Sequence, residues 1–385
     1  MAQADGALDR LPIPTVTATA LWHARARLGS RPLRALFDLL RGPAASTLTS
    51  GSRWAGMLVC AIDGTYLDVP DNPRTRHRLG KGTNQYATAG YPQICLTTLV
   101  ACGTRAVIDA AFGPRSNGET TYGLRLTRSL HSGMIVLLDR GFATNAFLAA
   151  IAGTGADLLA RLTAVRKTPV IRLHRDGSYR SVVAGIPVRV IECEITIATS
   201  AGRQTGLYRL ATTLLDHRRY PAFELVRLYH QRWEVESAYF EIKKTMLGRR
   251  VLRARTPAGI AQEIYALLTV YQSLRIAITD ATDTDTTASP DRGSFTIALE
   301  AARDQVIQAT GIVADETIDL IGTIGRHVLA HLMPDRRLRV SPRAVKRPLS
   351  RYAYKSLRVD RRTYKATLSI DILATPPGSS TPASP

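Results

Sequence analysis

The chain has 385 residues, with 51 Lys and Arg against 31 Asp and Glu, a net charge of +20 and a pI near 10.3. That length divides into more than one unit, and that charge favours a polyanionic partner, nucleic acid first. Cys60, Cys95, Cys102 and Cys193 lie in apolar runs without C-x-x-C spacing, which argues against a disulfide framework or a zinc site; with no basic-then-apolar leader and no apolar run of about 18 residues, the chain reads as cytoplasmic, nucleoid-associated and free of the membrane.

Residues 1–19 carry little pattern, and 20–41 read as two short helices broken near Gly29-Ser30, the second opening at Pro32. Residues 58–69, LVCAIDGTYLDV, alternate and are rich in β-formers, a strand with Asp63 inside it. A carboxylate there costs several kcal/mol to desolvate unless it is paired or metal-bound; an edge-strand Asp facing water is the alternative. A basic loop over 71–93 leads to strands at 93–102 and 105–112, joined by a turn at Cys102-Gly103-Thr104, so three consecutive strands form an antiparallel meander. A helix over 119–130 precedes GMIVLL at 133–138, a short apolar run typical of a strand covered on both faces. Asp139 ends it, where open α/β sheets place their ligands; alternatively it caps the helix that follows at 145–152. Residues 156–162 give a fifth strand.

Residues 163–216 alternate as β-structure, with turns at Asp176-Gly177 and Ala201-Gly202. Their basic side chains (Arg161, Arg166, Lys167, Arg172, Arg175, Arg180) either line DNA or form a solvated sheet face. Residues 225–250 then read as one long helix following Pro221. On a regular wheel Tyr229, Arg232, Glu236 and Lys243 share an arc of roughly 60° over four turns. The bland interpretation is a solvated face with i,i+4 and i,i+7 charge neighbours. Arg249, Arg250, Arg253 and Arg255 cluster in the connection closed by Pro257. An apolar helix is expected over 257–279, a linker over 280–293 whose alternating acids lack the closing Glu of a calcium loop, and helices over 295–311 and 316–333. Residues 336–365 hold twelve Lys or Arg against Asp360 alone, with Tyr352, Tyr354 and Tyr364 interleaved, either a nucleic-acid-binding arm or a solubilising run. The last dozen residues are disordered by composition.

The spacing Tyr229-x2-Arg232-x3-Glu236-x6-Lys243 resembles the signature helix of the DDE-type insertion-sequence transposases, in the Tyr-Arg-Glu-Lys branch called insertion-sequence family four. Asp63 on the first strand, Asp139 after the fourth, Gly90-Tyr91-Pro92-Gln93 and Asp139-Arg140-Gly141-Phe142 extend the resemblance over residues 54–275 or so. Three strands, helix, strand, helix, strand is the order of a ribonuclease-H-like core. The implied fold is α/β, with a ribonuclease-H-like catalytic core interrupted by an all-β insertion and helical N- and C-terminal extensions. Its parts are 1–50 (a shortened helical front), 54–162 (first part of the core), 163–220 (insertion, which accounts for the 97 residues from Asp139 to Glu236), 221–280 (signature and following helix), 281–333 (linker and helices) and 334–385 (basic arm and tail).

The resemblance implies a DNA transposase that cleaves element ends and transfers strands with two divalent ions, Mg2+ with Mn2+ as substitute. Hard cations require oxygen ligands, so Asp63 would bridge both ions while Asp139 and Glu236 hold one each. Arg232 and Lys243 would bind phosphate, and Tyr229 a phosphate or sugar. Trp233 would stack on a displaced base, or belong to the core, and Arg249, Arg250 and Arg253 would follow the backbone. The implied partners are double-stranded DNA with terminal inverted repeats and a second copy of the chain in a synaptic homodimer. A DNA-binding remnant and a ribonuclease-H-like repair or junction nuclease are the competing readings.

Overall fold

Alternation along two neighbouring strands decides where the polar residues of this chain meet. The computed structural model describes residues 16–83, 88–200, 202–285, 287–309, 320–334, 339–340 and 364–373. After helices α1 (Ala18–Leu28) and α2 (Arg31–Leu40) come strand β1 (Met57–Asp68), helix α3 (Pro73–Leu79) and strands β2 (Thr88–Ala101) and β3 (Val107–Pro114). Helix α4 (Glu119–Leu126), β4 (Met134–Leu138), α5 (Asn145–Ala152) and β5 (Asp157–Arg161) follow, in the expected order of elements. β1–β2 and β2–β3 pair antiparallel, whereas β1–β4 and β4–β5 pair parallel, giving the spatial order β3-β2-β1-β4-β5. All five residues of β4 are buried, as an unbroken apolar run predicts for a central parallel strand.

The sheet separates two apolar clusters. Cys60, Ile62, Val136 and Leu138 face Tyr122, Leu126, Phe147 and Ile151 of α4 and α5. Val59, Ala61, Ile135 and Leu137 face the opposite side. There the cover is α6 (Ala222–Tyr229), α7 (Trp233–Phe240) and the 27-residue α8 (Pro257–Asp283), through Leu225, Val235, Ile264 and Leu268. Period two therefore assigns Asp63 and Asp139, the next odd positions on their strands, to the face covered by α6–α8.

Strands β6 (Tyr179–Val183), β7 (Ile186–Thr199) and β8 (Gly202–Thr212) form successive hairpins in the stretch expected to be β-rich. They extend the same sheet, because β8 pairs with β5 at Leu210↔Arg161. Helices α9 (Phe295–Ala309) and α10 (Leu320–Ala330) pack on α8. The four cysteines are free and buried, and no helix among the described residues is long and apolar enough to cross a membrane.

Three local expectations are corrected, and a fourth falls mostly outside the described residues. The loop over 71–93 contains α3, because Asn72 and Thr75 form a reciprocal capping box with Pro73 at the first helical position. The linker expected from 280 begins only after Asp283. The single helix over 225–250 is instead α6, a 3-10 turn at His230–Arg232, α7, and a π-helical turn at Glu241–Met246. Most of the basic run over 336–365 and the last dozen residues lie outside the described residues, but β9 (Tyr364–Ile372) is a sheet strand antiparallel to β7, with Cys193 opposite Ile372. Its alternation, TLSIDI, is a half-buried strand pattern that the surrounding charge obscured.

Candidate active site

β1 and β4 stay in register as far as Ile62↔Leu138, and β4 then stops. The next residue on each strand is an aspartate, so Asp63 and Asp139 lie side by side at the sheet's parallel seam. Asp139 Oδ1 accepts the backbone N–H groups of Gly141 (2.8 Å) and Phe142 (3.1 Å), fixing the turn that leaves the strand. It does not cap α5; Thr144 does, accepting from the Phe147 N–H. Asp63 Oδ1 accepts the Gly64 N–H at 2.8 Å, and its main-chain carbonyl accepts the Tyr239 hydroxyl at 2.6 Å.

The α6–α7 segment brings the third acid. Leu225, Val226, Val235, Ala238 and Ile242 are buried and press the segment onto the sheet. Arg232 then forks between two carboxylates, with Nη1 3.4 Å from Asp63 Oδ2 and Nη2 3.2 Å from Glu236 Oε1. Lys243, in the π-turn, donates from Nζ to Thr65 Oγ1 at 3.1 Å, two residues along β1 from Asp63. The regular wheel is thus replaced by a segment tightened before α7 and slackened after it, yet Arg232, Glu236 and Lys243 still reach the two strands.

Tyr229 requires correction as a phosphate-binding candidate. It is buried, and its hydroxyl donates to the Leu138 carbonyl at 3.1 Å, immediately before Asp139; burial pushes that phenol well above its ordinary value. Its partner is therefore the strand end. Trp233 is 42 % exposed, which answers the choice between core and surface, and the Arg232 guanidinium lies 5.1 Å over its ring. Arg249, Arg250 and Arg253 are exposed in the connection to α8, with Arg249 in the left-handed region at φ 61°. Of the basic residues near the hairpins, Arg161 packs over Tyr208 (3.9 Å), and Arg166 donates to the Ala143 carbonyl (2.7 Å) and Asn145 (2.8 Å). Lys167, Arg172, Arg175 and Arg180 are exposed.

The charge balance at the seam is uneven. Burial pushes the Asp63 carboxyl up to about 7. The Gly64 N–H and Arg232 pull it down, while the like charges of Asp139 and Glu236 add to the rise. Three oxygen-donor acids with undercompensated charge have the chemistry that Mg2+ or Mn2+ requires. As the side chains stand, however, no three His, Cys, Asp or Glu among the described residues are gathered to hold an ion. Arg232 sits between two of the three acids and already neutralises them in part.

Sequence reasoning missed the groups that hold this arrangement from behind. Tyr239, one turn beyond Glu236, accepts from the Thr98 N–H (3.1 Å) while donating to Asp63, tying α7 to β1 and β2. Arg105, at φ 59° in the turn before β3, reaches Glu234 (2.6 Å), Glu241 (3.3 Å) and Asp291 (2.5 Å). Glu241 also takes the Tyr271 hydroxyl at 3.1 Å and pairs with the buried Arg275. No local pattern marks these partners, which lie from 30 to more than a hundred residues apart; the acids at 234 and 241, i and i+7 on a helical segment, are their only sequence trace.

The family described as "Transposase DDE domain" matches residues 54–272. The chain is 26 % identical over 346 residues to the Escherichia coli K12 protein named "Transposase InsG for insertion sequence element IS4", covering 86 % of this chain and 77 % of that one. It is 26 % identical over 125 residues to the "Putative transposase InsZ" of the same organism, covering 32 % of this chain and 42 % of that one. Among solved structures, a piggyBac transposase synaptic complex with hairpin DNA aligns with 72 % of this chain and 57 % of that chain, at 13 % identity and a TM-score of 0.40.

Proposed function

Since the chain belongs to the DDE transposases, in the branch of insertion-sequence family four, we propose that Asp63, Asp139 and Glu236 are its catalytic acids and that it cuts element ends and joins them to target DNA. The observation that carries this reading is the register Ile62↔Leu138, which sets two acids abreast beneath the segment bearing Glu236. The fold is read as a ribonuclease-H-like core, with β6–β8 as its insertion and helices at either end. The proposed substrate is double-stranded DNA with terminal inverted repeats, engaged by a homodimer at the bacterial nucleoid in the cytoplasm.

Asp63 would hold both divalent ions, Mg2+ or Mn2+, and Asp139 and Glu236 one each. Bound there, the ions supply a polarised phosphoryl oxygen and an activated oxygen nucleophile. The chain's own groups do the rest. Asp139, fixed by two backbone N–H groups, needs no reorganisation when a ligand arrives. Arg232, now 3.4 Å from Asp63 and 3.2 Å from Glu236, would turn its planar fork to a phosphate. Lys243 adds a point charge beside Thr65, Trp233 offers an aromatic surface to a base, and Arg249, Arg250 and Arg253 follow the backbone away from the cut. Tyr229 positions the end of β4 through the Leu138 carbonyl.

The test is Asp63→Ala on labelled linear DNA carrying candidate repeats, with Mg2+. Cutting is expected to fall at least about a thousandfold, which corresponds to about 4 kcal/mol of lost transition-state stabilisation. DNA affinity is expected to stay within a few fold. Equal loss of binding and cutting would remove the catalytic assignment, and binding without cutting by the unaltered chain would favour a DNA-binding remnant.

A further inference from the structure

A cleft of about 810 Å³ opens between α1, the start of α3 and the N-terminal end of α8, and none of the three acids lines it. Trp22, Arg25, Arg74, Arg253 and Arg255 line it and are exposed, and no acidic side chain contributes to its wall. None of these four guanidiniums has an ion-pair partner among the described residues, in contrast to Arg76 next door, which Asp71 neutralises. Four unmatched cations around one opening repel each other by Coulomb's law, so the concentration itself indicates an anionic occupant.

The walls are tied together by main-chain contacts that leave the guanidiniums uncommitted. Gln262 of α8 donates to the Arg25 and Gly29 carbonyls at the end of α1 (2.8 and 2.5 Å). Asn72, which caps α3, donates to the Arg255 carbonyl (3.1 Å). Glu263 accepts the Arg253 and Ala254 N–H groups (2.8 and 2.9 Å), and Thr256 caps α8. A groove held this way is organised before its ligand arrives. The N-terminus of α8 adds its partial positive charge.

We propose that this cleft seats the sugar-phosphate backbone of duplex DNA flanking the cut, so that α1 and α3 form part of the DNA interface; this rests on the transposase reading above. The spread of four cations over three chain segments suits a run of phosphates better than a single anion. Its place along the duplex follows from β1. The Leu252 N–H, next to Arg253, donates to the Asp68 carbonyl at 3.0 Å. Asp68 lies five residues from Asp63, roughly 17 Å along the strand at about 3.3 Å per residue. That span corresponds to roughly five base steps at about 3.4 Å each.

The experiment compares the full chain with the triple variant Arg25→Ala, Arg74→Ala, Arg255→Ala on end-containing duplex, titrated across salt concentrations. Each lost phosphate contact flattens the slope of log Kobs against log salt by about 0.9, so a slope shallower by roughly 2 to 3 is expected. Phosphate ethylation about five nucleotides from the cut is expected to weaken the unaltered chain and to leave the variant unaffected. The matching triple Lys variant keeps the charge and is expected to keep the slope. An Ala variant whose slope and interference pattern match the unaltered chain overturns the proposal. Loss of slope in the Lys variant as well would mean that the fold, and not the charge, was disturbed, and would overturn it too. Asp63→Ala is expected to keep the full slope. If Asp63→Ala still cuts, the catalytic reading fails while the groove stands; if only the triple Ala slope is unchanged, the groove fails alone.

Discussion

Two clusters of acids and arginines grip the same helical segment from different faces, and they are built to different standards. Around Arg105 the contacts are close, 2.5 to 3.3 Å to three carboxylates, and Arg275 and Tyr271 satisfy Glu241 further. Burial alone would lower the Arg105 guanidinium, and the three acids more than reverse that. Around Arg232 the contacts are looser, 3.2 and 3.4 Å, and Asp63 is pushed up to about 7. The first cluster is a closed anchor. The second leaves charge undercompensated in a part-buried setting, which the proposed metal and phosphate site would use. Glu234 and Glu236 are two positions apart, about 200° around a helix, so one segment serves both clusters.

That contrast can be broken from either side. Below the loss of cutting expected of Asp63→Ala, the largest effect belongs to Arg105→Met, which strands buried carboxylates and should cost about 3–5 kcal/mol in chemical denaturation. A loss under about 1 kcal/mol would mean that the anchor does not hold the segment. Arg232→Gln should be milder. Without divalent ions, Asp63 and Glu236 lose their shared guanidinium and stability drops by about 1 kcal/mol, the scale of a partly exposed pair. Mn2+ should then raise the melting temperature of this variant more than that of the unaltered chain; equal shifts would show that Arg232 does not compete for the acids.

Asp109 on β3 sharpens the comparison at the smallest scale. Burial raises its carboxyl, but Arg128, Ser129 and Arg41 outweigh burial and hold it below the ordinary carboxylate value. A depressed folded value contributes stability that is complete above the unfolded value of about 3.9 and fades as pH falls through the folded one. Stability should therefore drop more steeply below about pH 4 in the unaltered chain than in Asp109→Asn. Parallel acid titrations of the two proteins would count against a closed cluster there.

Much of this was legible in the chain, for reasons that differ by residue. Asp63 stood out because an acid interrupts an alternating strand, and Asp139 because it ends an unbroken apolar one. The Tyr-Arg-Glu-Lys spacing singled out Arg232, Glu236 and Lys243, although the segment that carries them is not the one regular helix expected. Tyr229 was misassigned because spacing reports which residues share a face and not which of them points into the core. β9 was hidden by charge, and α3 by a loop-like composition that its capping box overrides.

Period two and period 3.6 are local properties, and they determined the order of strands and helices; the resemblance to the transposase signature singled out the three proposed acids. Everything that depends on residues remote in sequence was settled by the tertiary structure. Ile62 and Leu138 pair across 76 positions, Arg232 holds Asp63, Glu241 and Lys243 occupy a π-turn as they reach Arg105 and Thr65, and α1 joins α3 and α8 around a basic cleft. Local propensity is worth tenths of a kcal/mol per residue, whereas stranding one member of a buried ion pair or emptying a packed face costs several, so where the two disagree the remote contact sets the conformation.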